Sequence, residues 1–251
     1  MNKLQFITII LFAALAAACG SSIDTTTLSA DEHFAYAMSL YDDEDYEDAL
    51  AEFQAILLQY PANPVNDDAQ YYLGMTYFQR GQYLLSAYEF SKLIRDIPAS
   101  PFVVDAQFML AESYYQLSPP YQLDQVYTKK AIEEFQAFID FFPTDERVDD
   151  VELKINELNK KLAEKQYSAA VIYEKMEYDN AAIDYYNKVI ETYHDTEFAP
   201  MAYYNRIKLL LSNDREEEAL RDMRSYLSRY PDDKNATEIQ SLYDEIVLAE
   251  K

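Results

Sequence analysis

Glycine is nearly absent from this chain, with three in 251 residues beside nine prolines. That scarcity leaves little material for the tight turns of an all-β architecture and favours helix from the start. Glycines at 20, 74 and 81 cannot build the GxGxxG or GxxxxGK[ST] loops that hold phosphates. A single cysteine excludes both an intramolecular disulfide and a cysteine-rich metal site. The two histidines, His33 and His194, belong to no HExxH-type pair. Carboxylates are abundant, and a two-carboxylate glycosidase is compatible with composition alone. No catalytic residue, metal or cofactor is expected, and the chain reads as a protein that binds and does not catalyse.

The other imbalance is charge. Forty-five acidic residues face 21 basic ones, for a formal charge of −24. Such a body repels phosphate backbones and anionic lipid surfaces, so no nucleic acid is expected as a partner. With 49% hydrophobic and 26% charged residues the chain has the material for a substantial core. The acidic run Asp42-Asp43-Glu44-Asp45 lacks the spacing and the glycine of a calcium loop, and fits a solvated helix start.

Residues 1–18 read as a secretory signal: Lys3, an apolar stretch from Leu4 through Leu15, then Ala16, Ala17 and Ala18. Cys19 follows at once. The arrangement resembles a bacterial lipoprotein signal, which implies cleavage before Cys19 and acylation of it. Ala16 stands where such signals most often carry Leu, and an ordinary secretory signal ending near a free cysteine is the alternative. Several acyl chains give durable anchoring, since each buried methylene contributes roughly 0.8 kcal/mol. Gly20, and not Asp, follows the cysteine, which by resemblance to lipoprotein sorting rules favours the outer membrane. Residues 19–30 read as a lipidated, flexible tether.

Beyond the tether the chain repeats itself. Segments ending YP at 60–61, IP at 97–98, FP at 142–143, YH at 193–194 and YP at 230–231 divide it into five units. Their spacings are 37, 45, 51 and 37 residues, a period of 37 with insertions in the third and fourth units. Ala37, Gly74 and Ala111 share one position of the first helix, where two helices must approach closely. Ala49, Ser86 and Ala131 share one of the second, four residues before Phe53, Phe90 and Phe135. Pro61, Pro98 and Pro143 stop the second helix. These marks resemble tetratricopeptide repeats. The expected fold is all-α, a superhelical array of about five helix–turn–helix repeats, with repeats 1–3 in residues 31–145 and repeats 4–5 in 146–251.

The period places Phe34, Tyr71 and Phe108 at one site of the first helix and Tyr41, Phe78 and Tyr115 at a second, two turns later. Met38 and Met75 fall between them. In tetratricopeptide proteins these positions usually line the concave surface. An aromatic peptide-binding groove is one reading; packing between adjacent repeats is the other. The last unit concentrates Arg206, Arg215, Arg221, Arg224 and Arg229 on an otherwise acidic body, which reads as a partner-docking face or as solvated helix surface.

Signal, repeats and the third-unit insertion SPPYQLDQVYTKKA together resemble the BamD family, lipoproteins of the outer-membrane β-barrel assembly machine. YPANPVNDDAQYYLGMTYF and SPPYQLDQVYTKKAIEEFQAFIDFFP are the most specific segments. The resemblance implies a lipid-anchored scaffold on the outer membrane, facing the periplasm. Its partners would be a BamA-type barrel protein, through that protein's transport repeats, other assembly-machine subunits, and unfolded β-barrel precursors. It also implies substrate on the N-terminal repeats and partner on the C-terminal ones, with membrane contact through the acyl anchor alone. The alternative is a periplasmic repeat lipoprotein coordinating envelope division or peptidoglycan processes; such proteins usually carry an N-terminal coiled coil, for which residues 20–30 are too short and polar. A sugar-capturing lipoprotein would display tryptophan, and this chain has none.

Overall fold

Repetition in the sequence becomes repetition in the backbone. The computed structural model describes residues 24–249; the expected signal and Cys19 lie outside the described residues. Among the described residues there are eleven α-helices and no strand. The first three units supply α1 (Ala30–Asp42) and α2 (Tyr46–Gln59), α3 (Val65–Gln79) and α4 (Tyr83–Asp96), then α5 (Val103–Gln116) and α6 (Val126–Phe141). The rest are α7 (Val148–Lys175) and α8 (Asp179–Thr192), α9 (Phe198–Ser212) and α10 (Glu216–Arg229), and a closing α11 (Ala236–Ala249). The contacts form two compact units, one through Leu73 and one from Gly74 onward. Within the first, α1 packs on α2; within the second, consecutive helices from α4 to α11 pack on one another and α7 also meets α9.

The turns inside the repeats share one construction. Glu44, Gly81, Glu177 and Asp214 all take positive φ, between 57° and 70°. The amide of the next residue donates back five positions: Asp45 to Leu40, Gln82 to Tyr77, Tyr178 to Tyr173 and Arg215 to Leu210, at 2.8–3.0 Å. This is the Schellman ending, which needs a left-handed residue after the helix. Glycine supplies it freely only at Gly81; three acidic side chains adopt it at a cost. The run around Asp43 is therefore a helix end followed by a helix start, with Asp45 preceding α2 and Glu47 and Asp48 in its first turn.

The second helices also stop alike. Tyr60, Ile97, Phe142, Tyr193 and Tyr230 follow α2, α4, α6, α8 and α10 with ψ between 41° and 61°. Proline follows all but Tyr193 and disfavours helical ψ in the residue before it. Equivalent core sites are filled throughout. Phe53, Phe90 and Phe135 are fully buried, and Tyr186 and Met223 take the same place in the fourth and fifth repeats. Tyrosine at that site brings a hydroxyl that must be satisfied; it donates to Glu174 at 2.5 Å and accepts from Asn205 at 3.2 Å.

The two insertions have different fates. In the fourth unit it lengthens α7 to 28 residues, against 14 in α8. In the third it forms a loop before α6, pinned from α7: Lys161 donates to Ser118, and Lys165 to the carbonyls of Tyr121 and Leu123. The expected flexible tether is ordered in its described part. Residues Thr25–Thr27 form a 3-10 turn held by Asp24, the Leu28 carbonyl accepts from the Tyr60 hydroxyl at 2.7 Å, and Ser29 forms a capping box with Glu32.

Candidate functional site

The expected aromatic ladder begins in the first compact unit. Phe34, Met38, Tyr41 and Tyr71 are all half-buried there. Phe34 lies 5.9 Å from Phe53 and 6.0 Å from Tyr72, while Tyr41 meets Tyr46 at 5.6 Å and Tyr72 at 5.5 Å. Tyr71 meets the same ring edge-on at 5.4 Å. Tyr72 is thus the hub of the cluster, and the period did not flag it, because the matching positions hold Ala35 and Met109. The rings support one another and remain partly exposed. Deeper in this unit His33 is fully buried, with Nε2 2.5 Å from Glu52 and its ring edge-on to Tyr60.

In the second unit the ladder divides. Met75 and Phe78 are half-buried, Phe78 packing on Tyr83 at 5.1 Å. Phe108 and Tyr115 pack against the second helix of their own repeat. Phe108 meets Phe138 at 5.7 Å and Tyr115 meets Phe135 at 6.1 Å, and α7 covers both with cations. Arg147 lies 4.8 Å over the Phe108 ring, and Lys154 5.5 Å over Phe108 and 5.2 Å over Tyr115. Those cations are held by carboxylates: Arg147 forks onto Asp145 and reaches Asp105 at 2.8 Å, and Lys154 pairs with Glu112 at 2.5 Å. The Arg147 hydrogen bonds hold Asp145 down to about 2. The Tyr115 hydroxyl donates to Glu157 at 2.7 Å, and this bond, with burial and nearby carboxylates, pushes it up to about 12.

The five arginines do not form one face. Arg215 forks onto Glu218 at 2.7 and 2.9 Å, beside exposed Arg221 at the start of α10. Arg224 sits 5.9 Å over the ring of Tyr243 on α11. Arg206 and Arg229 instead meet at a cleft of about 760 Å³ walled by α8, α9 and α10, with Asn187, Ile190, Tyr203, Asp222 and Tyr230 among its lining. Arg206 donates to Asn187 at 2.9 Å and lies 3.4 Å from Asp222. Arg206 Nε and Asp222 Oδ2 are sealed from solvent and make no hydrogen bond, although Oδ2 is the carboxylate oxygen 3.4 Å from the Arg206 guanidinium. Burial pushes the Asp222 carboxyl up to about 6, against the opposing pull of Arg206. Asp222 is a member of this cleft that the sequence did not single out; among so many acidic residues, nothing local marks it as largely buried.

Among the described residues no group of three or more His, Cys, Asp or Glu side chains is placed to hold a metal, and no helix is long and apolar enough to cross a membrane. A family described as outer membrane lipoprotein, YfiO, matches residues 27–209. The chain belongs to that family. It therefore joins a helical repeat fold to an outer membrane lipoprotein family. No curated protein matches the sequence. Solved structures similar to it include a thermophilic TPR protein of Thermus thermophilus, 18% identical, covering 88% of this chain and 100% of that one, TM-score 0.37. The TPR domain of P58(IPK) is 17% identical, covering 88% and 56%, TM-score 0.44. A tetratricopeptide repeat protein of Parabacteroides merdae is 15% identical, covering 88% and 76%, TM-score 0.39.

Proposed function

We propose that this member of the YfiO family is a scaffold of the outer-membrane β-barrel assembly machine, anchored through acylated Cys19 and facing the periplasm. It binds the transport repeats of a BamA-type barrel protein and recognises unfolded β-barrel precursors. It acts by binding and carries out no catalysis. Family membership over residues 27–209 is the observation that carries the reading, joined to the lipoprotein-type signal that precedes it. The half-buried rings of Phe34, Tyr41 and Tyr71 suit aromatic anchors of a substrate segment: large, stiff surfaces that lose little conformational freedom on binding.

The test is mild-detergent purification of the tagged, lipidated protein from its own envelope, with stoichiometric companions identified by mass spectrometry. A large barrel protein with transport repeats as the main companion supports the reading. Recovery of division or peptidoglycan proteins in its place moves the function to envelope coordination.

A further inference from the structure

The second repeat departs from the others on the side that faces water. On α4, Leu84, Leu85 and Tyr88 are 52%, 46% and 59% exposed. At 100° per residue they share one arc of about 100° with Lys92 and Arg95, opposite the buried Ser86, Phe90 and Leu93. Stacking of the repeats does not call for leucine there. At the positions of Leu84 and Leu85 the first repeat carries Glu47 and Asp48, the third Lys129 and Lys130, the fourth Asn180 and Ala181, and the fifth Glu217 and Glu218. Grouped apolar side chains that the fold does not need, left in water, mark an interaction surface.

The third repeat extends this face. α5 packs on both α4 and α6, and the Ser86 and Ser113 hydroxyls meet at 3.0 Å, which sets the insertion after α5 at the same end as the start of α4. Leu123 and Val126 are 58% and 51% exposed there, with exposed Lys129 and Lys130 a turn further on. Arg95 pairs with Asp96, and Lys92 lies 4.0 Å from Glu89. On a chain of formal charge −24, the apolar side chains of this face thus stand among cations.

We propose that this face is a second membrane contact, resting on the phospholipid surface to which acylated Cys19 holds the protein. The leucine and valine side chains enter the headgroup layer and the Tyr88 ring sits at its apolar boundary. The lysines reach lipid phosphates with their stems laid along the apolar surface. Four residues separate Cys19 from Asp24, a stretch of at most about 18 Å, so the bilayer is the apolar phase always at hand. Anchoring makes the second contact intramolecular, and a patch too small to capture vesicles alone is then enough to hold the body in one orientation. The proposal rests on the anchor of the scaffold reading and adds how the body is turned on the membrane.

The lipidated protein is reconstituted in vesicles of phosphatidylethanolamine and phosphatidylglycerol, with a nitroxide on Leu84→Cys or, at the equivalent position of the fifth repeat, on Glu217→Cys. Acylated Cys19 takes no label. Collision with a water-soluble nickel chelate should be several-fold rarer at the first label than at the second. Adding Leu85→Glu and Tyr88→Glu should abolish the difference, and all four positions are exposed, so the core is untouched. Equal accessibility of the two labels on floating vesicles overturns the proposal and leaves the anchor standing. Shielding at the first label that survives the double substitution, or that appears only when envelope proteins are added, assigns the face to a protein and overturns the proposal as well. Protein that fails to float with the vesicles refutes the anchor, and the proposal with it.

Discussion

Asp222→Asn isolates the electrostatic cost built into the last repeat. The carboxyl is raised from an ordinary value of 3.8 to about 6, burial being the main cause. A raised acid binds its proton more tightly in the folded state than in the unfolded chain. Stability is therefore highest below the unfolded value and falls as pH rises toward about 6, flattening beyond it. Two units correspond to about 2.7 kcal/mol at 1.36 kcal/mol per unit, most of it lost between pH 4 and 7. Asparagine has the shape without the titration. Urea unfolding of both proteins across that range should show the difference in stability, variant minus wild type, growing by about 2–3 kcal/mol toward pH 7. The other carboxylates titrate alike in the two proteins and cancel. A difference that stays flat from pH 4 to 7, or one that moves the other way, refutes the burial argument.

Four further outcomes can be checked in the same way. A Cβ at Gly74 would lie 2.8 Å from the fully buried ring of Phe90, so Gly74→Ala should lose about 1–2 kcal/mol despite the helix preference for alanine; pairing it with Phe90→Leu should cost less than the sum of the two. Glu177→Gly relieves a left-handed φ of 60° and should gain about 0.5–1 kcal/mol in urea midpoints, after the added freedom of the unfolded chain is subtracted. Arg147→Lys keeps the charge but loses the fork on Asp145 and the guanidinium's place over the Phe108 ring, and should cost about 1–3 kcal/mol by thermal unfolding. Tyr71→Ala with Phe78→Ala should weaken binding of aromatic-ended precursor peptides by at least about tenfold; unchanged affinity with lowered stability would assign these rings to packing alone.

The sequence by itself determined the helical repeat, because each mark of the repeat acts locally. A proline forces the preceding residue out of the helix, a small residue every 37 positions admits a close neighbour, and an aromatic four residues on fills the space. The helix ends at Tyr60, Ile97 and Phe142 were legible for that reason, and even Tyr193 stops its helix without a proline. What only the tertiary structure decided is which of several identical residues matters. Tyr71 and Tyr72 are neighbours of one type, yet it is Tyr72 that joins Phe34, Tyr41 and Phe53. Asp222 is one of forty-five acidic residues and is raised because packing shuts solvent out, even though α9 places Arg206 beside it. Five arginines that looked like one face serve separate ends, because a helix turns 100° per residue and hands successive side chains to different neighbours. Desolvation and partner choice depend on what the rest of the chain brings to a position, and that is settled only when the helices pack.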